Sequence, residues 1–168
     1  MNDWRARIAS AVILAVLVLG STLVGGWLFA VICTLIAMIV WAEWFDVVSP
    51  NGDDRVRLLG FFFLGLLFIA GLIVPNEAMP YVWALATIVF TVASASMAGG
   101  KWSVAGFVYS GLALVALNML RHSETDASGL VAILFLFAVV WATDIGAYFA
   151  GRHFCGPKIP PVISPKKS

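Results

Sequence analysis

Charge is the scarcest thing in this sequence. Asp, Glu, Lys and Arg make up 11% of its 168 residues, hydrophobic residues make up 62%, and the mean hydropathy is +1.00. A soluble domain averages about a quarter charged and under half apolar. A chain this fatty has too few polar side chains to cover a water-facing surface, which excludes a soluble globular domain and points to an integral membrane protein. The net charge of +1 lacks the basic excess of a nucleic-acid binder, so no nucleic-acid partner is expected. Cysteine is nearly absent: Cys33 lies inside an apolar run and Cys155 in a distant loop, and no Cys/His spacing resembles a zinc site. Internal repeats of 20–50 residues and low-complexity tracts are also missing. So is an A-x-A-like cleavage site after the WRAR start, so the first apolar run reads as a retained helix and not a signal peptide.

What is present is a series of long apolar runs. About 20 apolar residues cross the hydrocarbon core as a helix. Such runs occupy about 8–24, 27–48, 58–74, 81–98, 102–120 and 127–150. Gly25-Gly26, SPNGDDRVR, PNEAMP, GGK and RHSETD separate them with turn formers and charge. The expectation is an all-α, polytopic membrane bundle of about six transmembrane helices, forming one transmembrane domain over 1–168 with a basic loop at 151–168. Placing the N-terminus in the cytoplasm puts Arg5, Arg7, Arg55, Arg57, Lys101, Arg152, Lys158, Lys166 and Lys167 inside and only Arg121 outside. That asymmetry follows the positive-inside rule and predicts both termini in the cytoplasm. Trp4, Trp27, Trp44, Trp83 and Trp102 fall near helix ends, as an interfacial aromatic belt would.

Most acids fall in loops, but Glu43 and Asp46 lie in the last turns of the second run and Asp144 lies within the sixth. A carboxylate at membrane depth is costly and normally faces protein or a water-filled cavity. At 1.5 Å per residue, Glu43 and Asp144 sit roughly 8–12 Å below the cytoplasmic surface. Glu43 and Asp46 share a helical face by their spacing of three, and reaching up to water explains them as well as function does. Asp144 shares its face with Phe137, Trp141, Tyr148 and Gly151. Ala138, Ala142, Gly146 and Ala150 form an opposite stripe of small residues of the kind that lets helices approach closely. The sixth helix is therefore expected to be central, with Asp144 functional or bonded to a hydroxyl such as Thr87 or Thr91.

After Gly151 the chain turns basic and proline-rich, through Arg152, His153, Lys158, Pro160-Pro161 and Ser164-Pro165-Lys166-Lys167-Ser168. Prolines oppose continued helix, so a cationic loop is expected at the mouth of the Asp144 face. An acid able to hold Mg²⁺ beside lysines able to neutralise phosphate suits phosphoryl or nucleotidyl transfer to a lipid headgroup. Juxtamembrane cations that only bind anionic lipid and set orientation fit equally well.

Trp141-Ala-Thr-Asp144-Ile-Gly146-Ala147-Tyr148-Phe-Ala-Gly151-Arg152, followed by Ile163-Ser164-Pro165-Lys166-Lys167, closely resembles the bacterial phosphatidate cytidylyltransferases, or CDP-diacylglycerol synthases. The likeness is specific over 141–168. It is looser elsewhere: an Arg-rich start, the Gly-Gly break, and Glu43-Trp44 at a helix end. It implies a multi-pass enzyme of the bacterial inner membrane, one that converts CTP and phosphatidate to CDP-diacylglycerol and diphosphate with Mg²⁺. It further implies Asp144 as a catalytic and metal-site acid and Lys166 and Lys167 as catalytic triphosphate contacts. Ser164, Arg152, Tyr148 and Lys158 would bind substrate. Membrane lipids and a second copy of the chain are the other partners to expect.

Ser168 stands where the family usually has Thr, which keeps the hydroxyl. The family's main signature, with a His-Gly-Gly and an acidic run, is absent, so the sequence reads as the N-terminal part of such an enzyme and is expected to be inactive alone. A small membrane transport or scaffold protein, with Asp144 and Glu43 lining an ion path, is the alternative.

Overall fold

The computed structural model describes residues 3–49, 52–97, 100–122 and 125–153. Six α-helices account for nearly all of them, and no strand occurs among the described residues. They are α1 (Asp3–Val24), α2 (Gly26–Val48), α3 (Asp54–Ile73), α4 (Met79–Ser96), α5 (Lys101–Arg121) and α6 (Asp126–His153), with a 3-10 turn at Asn76–Ala78. The spans of α2, α3, the turn with α4, α5 and α6 are each long and apolar enough to cross a membrane; the apolar stretch of α1, Ile8–Val24, is shorter. The protein is an all-α membrane bundle. In hydrocarbon every backbone N–H and C=O must be satisfied within its own segment, which is why apolar runs of this length become helices.

Local chemistry sets the boundaries. Gly25 and Gly26 have φ of +70° and +55°, a left-handed pair that reverses the chain between α1 and α2 at no Cβ cost. α3 begins at Asp54 and not near Leu58, because the Asp53 carboxylate accepts from the Arg55 N–H at 2.9 Å and caps the first turn. α6 opens on a reciprocal cap: the Ser128 N–H donates to Thr125 Oγ1 at 3.1 Å, and the Thr125 N–H donates to Ser128 Oγ at 3.3 Å. α6 also continues to His153, so the expected loop from Gly151 begins with helix. Arg152 and His153 in its last turn complement the negative end of the helix dipole.

The described residues divide into two compact units, one running to Ile133 and the other beginning at Leu134. In the first, α2 is the organising helix, packed most extensively on α5 and next on α3. One aromatic from each of four helices builds the core. Phe90 and Phe107 stack at 4.2 Å, and Trp41 and Phe63 both set their edges against this pair. Trp41 is completely buried over Gly60, where a Cβ would come within 2.2 Å of the indole. Trp44 lies over Gly106 in the same way, at 2.3 Å. Lipid tails are as apolar as these side chains, so the drive is close van der Waals contact, which glycine permits.

Polar cross-links gather at the two ends of this unit. At one end, Trp41 Nε1 donates to the Arg57 carbonyl at 3.0 Å, Trp44 Nε1 donates to the Trp102 carbonyl at 2.9 Å, and Arg57 pairs with Asp46. At the other, Arg121 Nε donates to the Thr22 carbonyl at 3.0 Å and Asn76 Nδ2 donates to the His122 carbonyl at 2.7 Å. Two expectations change here. Trp44 and Trp83 are half-buried packing residues, whereas Trp27 and Trp102 remain exposed as belt residues would. Arg121, expected in a polar loop, ends α5 and is 1% exposed, its guanidinium filling the space a Cβ on Gly25 would need.

Candidate functional site

The residues singled out by the sequence fall in both units, and each is described in its own. On α2, Glu43 and Asp46 differ in environment despite their shared spacing. Asp46 is held by Arg57 of α3 through a fork: Nη1 to Oδ1 at 3.0 Å and Nη2 to Oδ2 at 3.2 Å. With the carboxylate 59% exposed, this pair is an interfacial clasp and not a ligand waiting for a metal. Glu43 is exposed, and among the described residues no ion pair involves it. It borders an open hollow of about 330 Å³ with Val40, Trp44, Val47 and Val48.

On α6, Asp144, Tyr148 and Arg152 follow one another at spacing four. Arg152 Nη1 donates to Tyr148 Oη at 3.3 Å. One turn and two turns before Asp144, Trp141 and Phe137 stack with their rings 6.0 Å apart and nearly parallel. The Thr143 hydroxyl turns back to the Val139 carbonyl at 2.7 Å, so it does not serve the carboxylate. Along α6 the column therefore runs from apolar rings through an acid to a hydroxyl–guanidinium pair. Asp144 and Arg152 are separated by about 12 Å of helix axis. α6 has 28 residues, and a helix of that length spans about 42 Å against a hydrocarbon core of about 30 Å. It can thus carry Arg152 into the headgroups while Asp144 stays below them.

Thr91, one suggested partner for Asp144, spends its hydroxyl on the Thr87 carbonyl of its own helix at 2.7 Å. Lys158, Ser164, Lys166 and Lys167 lie outside the described residues. Among the described residues, the candidate site residues that fall together are Asp144, Tyr148 and Arg152 of α6. Three structural residues were not anticipated from sequence: Arg121, Trp41 and Ser110. Gly25 and Gly60 were the only signals for the first two, since each clears the space its partner occupies.

Comparisons with known proteins bear on the family of the whole chain. Over its full length the chain is 34% identical, across 175 aligned positions, to the phosphatidate cytidylyltransferases of Brucella suis biovar 1 and Brucella melitensis biotype 1. It is 29% identical, over 98% of its length, to the protein of the same name from Staphylococcus aureus strain COL. It spans 62% of the Brucella proteins and 64% of the Staphylococcus one. No solved structure matches. The pattern of the cytidylyltransferase family matches residues 5–168, all of the chain but its first four residues, and the chain belongs to that family.

Proposed function

We propose that this chain serves the transfer of a cytidylyl group from CTP to phosphatidate, giving CDP-diacylglycerol and diphosphate. The observation that carries the reading is the family match over residues 5–168. In this reaction a phosphate oxygen of phosphatidate attacks the α-phosphorus of CTP, and the bond to the departing diphosphate breaks. Both substrates are polyanions, so the protein must supply cations and hold the two phosphates in line.

The α6 face suits part of that work. Arg152, oriented by Tyr148, offers a planar guanidinium for phosphate oxygens near the headgroup level. Lys158, Lys166, Lys167 and the Ser164 hydroxyl are the further phosphate contacts in this reading. Asp144 would sit below them, orienting the cations or the nucleotide. Mg²⁺ enters only through the resemblance. Among the described residues no three His, Cys, Asp or Glu side chains group as ligands, and one carboxylate does not make an Mg²⁺ site. No step is therefore assigned to a metal. The bacterial inner membrane, both termini in the cytoplasm and a homodimer belong to the same proposal.

The test uses membranes expressing the gene at the full length of the curated relatives, wild type against Asp144→Asn. Labelled CDP-diacylglycerol that requires both CTP and phosphatidate, and that D144N abolishes while helicity is kept, supports the reading. Unchanged turnover in D144N removes Asp144 from the site. Absence of any CTP-dependent lipid product from the wild type removes the function.

A further inference from the structure

A second site lies in the first unit, on the side of α2 that faces α5. A groove of about 190 Å³ runs between these helices, walled by Ala37, Val40, Tyr109, Ala113 and Leu117. Ser110 of α5 is among the residues that line it. Ser110 is 1% exposed, and its oxygen has no hydrogen-bond partner. A buried hydroxyl left unmatched costs about 1–3 kcal/mol, so an acceptor supplied by an occupant would be stabilising. Val40 lines both this groove and the open hollow that Glu43 borders. Trp44, beside Glu43, stacks on Tyr109 with ring centroids 6.0 Å apart.

The groove thus sets a hydroxyl of α5 at membrane depth and an acid of α2 nearer the helix end. Ala37, at the level of the cavity, and Glu43 are six residues apart, about 9 Å along the helix axis. A diacyl lipid presents the same order: acyl chains, then ester carbonyls, then headgroup. The acid decides which headgroup. A carboxylate repels a bare phosphate and attracts an ammonium, and the paired Trp44 and Tyr109 rings favour a cation as well. Phosphatidate, which carries no cation, is the wrong lipid for this position.

We propose that the α2–α5 groove is a binding site for a phospholipid with a primary ammonium headgroup. Glu43 receives the ammonium, the Ser110 hydroxyl donates to an ester carbonyl, and an acyl chain lies along Ala37, Ala113 and Leu117. The site is separate from the cytidylyl-transfer reading and stands whether or not that reading holds.

The test reconstitutes the 168-residue chain into vesicles and quenches tryptophan with bromine-labelled acyl chains. Brominated phosphatidylethanolamine in phosphatidylglycerol is compared with the reverse mixture, and the Trp44 share is taken as the difference from Trp44→Phe. The expected preference for phosphatidylethanolamine at Trp44 is about threefold, the size of one exposed charge pair. It should vanish in Glu43→Gln, fall when Ala113→Phe fills the groove, weaken in Ser110→Ala and shrink in high salt, which needs no mutation. Equal quenching by the two lipids in the wild type overturns the proposal. So does a preference that survives both E43Q and high salt.

Discussion

Glycine does opposite things in two regions of this molecule. In the first unit, Gly60 and Gly106 each lie under an indole, and an added Cβ would meet Trp41 at 2.2 Å or Trp44 at 2.3 Å. On the stretch of α6 beyond Leu134, Gly146 and Gly151 have no atom of the described residues within 4 Å of where a Cβ would stand. All four occur in apolar helices, and nothing in their immediate neighbours tells them apart. The first pair is spent on close helix–helix approach. The second leaves a smooth helical surface beside the Asp144 column.

This contrast can be broken most directly at Gly60. Gly60→Leu should destabilise the bundle by about 3 kcal/mol through overpacking against Trp41, read by reversible unfolding in mixed micelles. A loss below a few tenths would mean that Trp41 moves aside freely. Arg121→Met should cost a comparable amount, about 2–3 kcal/mol, by leaving the Thr22 carbonyl unmatched where no water reaches it. Gly25→Ala in the same background tests whether the two act as one unit, since their effects should then fall short of additive.

Smaller effects sharpen the comparison. Trp44→Phe keeps the ring over Gly106 but removes the bond to the Trp102 carbonyl, for a loss of about 1 kcal/mol. Asp46→Asn weakens the clasp to Arg57 by less than about 1 kcal/mol, and the difference should shrink as salt rises. Gly146→Ala is the counterpart to Gly60→Leu. It should stabilise α6 in this chain, by no more than about 1 kcal/mol, in thermal melts followed by circular dichroism.

Much of the helix layout was legible because hydropathy run length is a local property. The breaks at Gly25-Gly26 and PNEAMP announced themselves through turn chemistry, and the structure adds left-handed glycines at the first and a 3-10 turn at the second. Where sequence reading went astray, long-range partners were responsible. Arg121 looked like a loop cation because its ligand, the Thr22 carbonyl, is 99 positions away. Trp44 looked like a belt residue because the carbonyl it bonds is 58 positions away. Glu43 and Asp46 looked equivalent because spacing cannot show that Arg57 reaches only one of them. For the α6 face, the spacing of Asp144, Tyr148 and Arg152 was readable directly, since one helix carries all three.

The sequence by itself determined that this is a helical membrane protein and where its acids and cations fall along each helix. Backbone hydrogen bonds have no solvent partner in lipid, so any apolar run of sufficient length must satisfy them internally. The recurring α6 motif likewise marked the family without reference to packing. Only the tertiary structure decided which glycines receive tryptophan, which acid is paired and which hydroxyls are buried without a partner. Those outcomes depend on contacts between helices, whose energies come from close packing and end-to-end hydrogen bonds that no single run of residues contains.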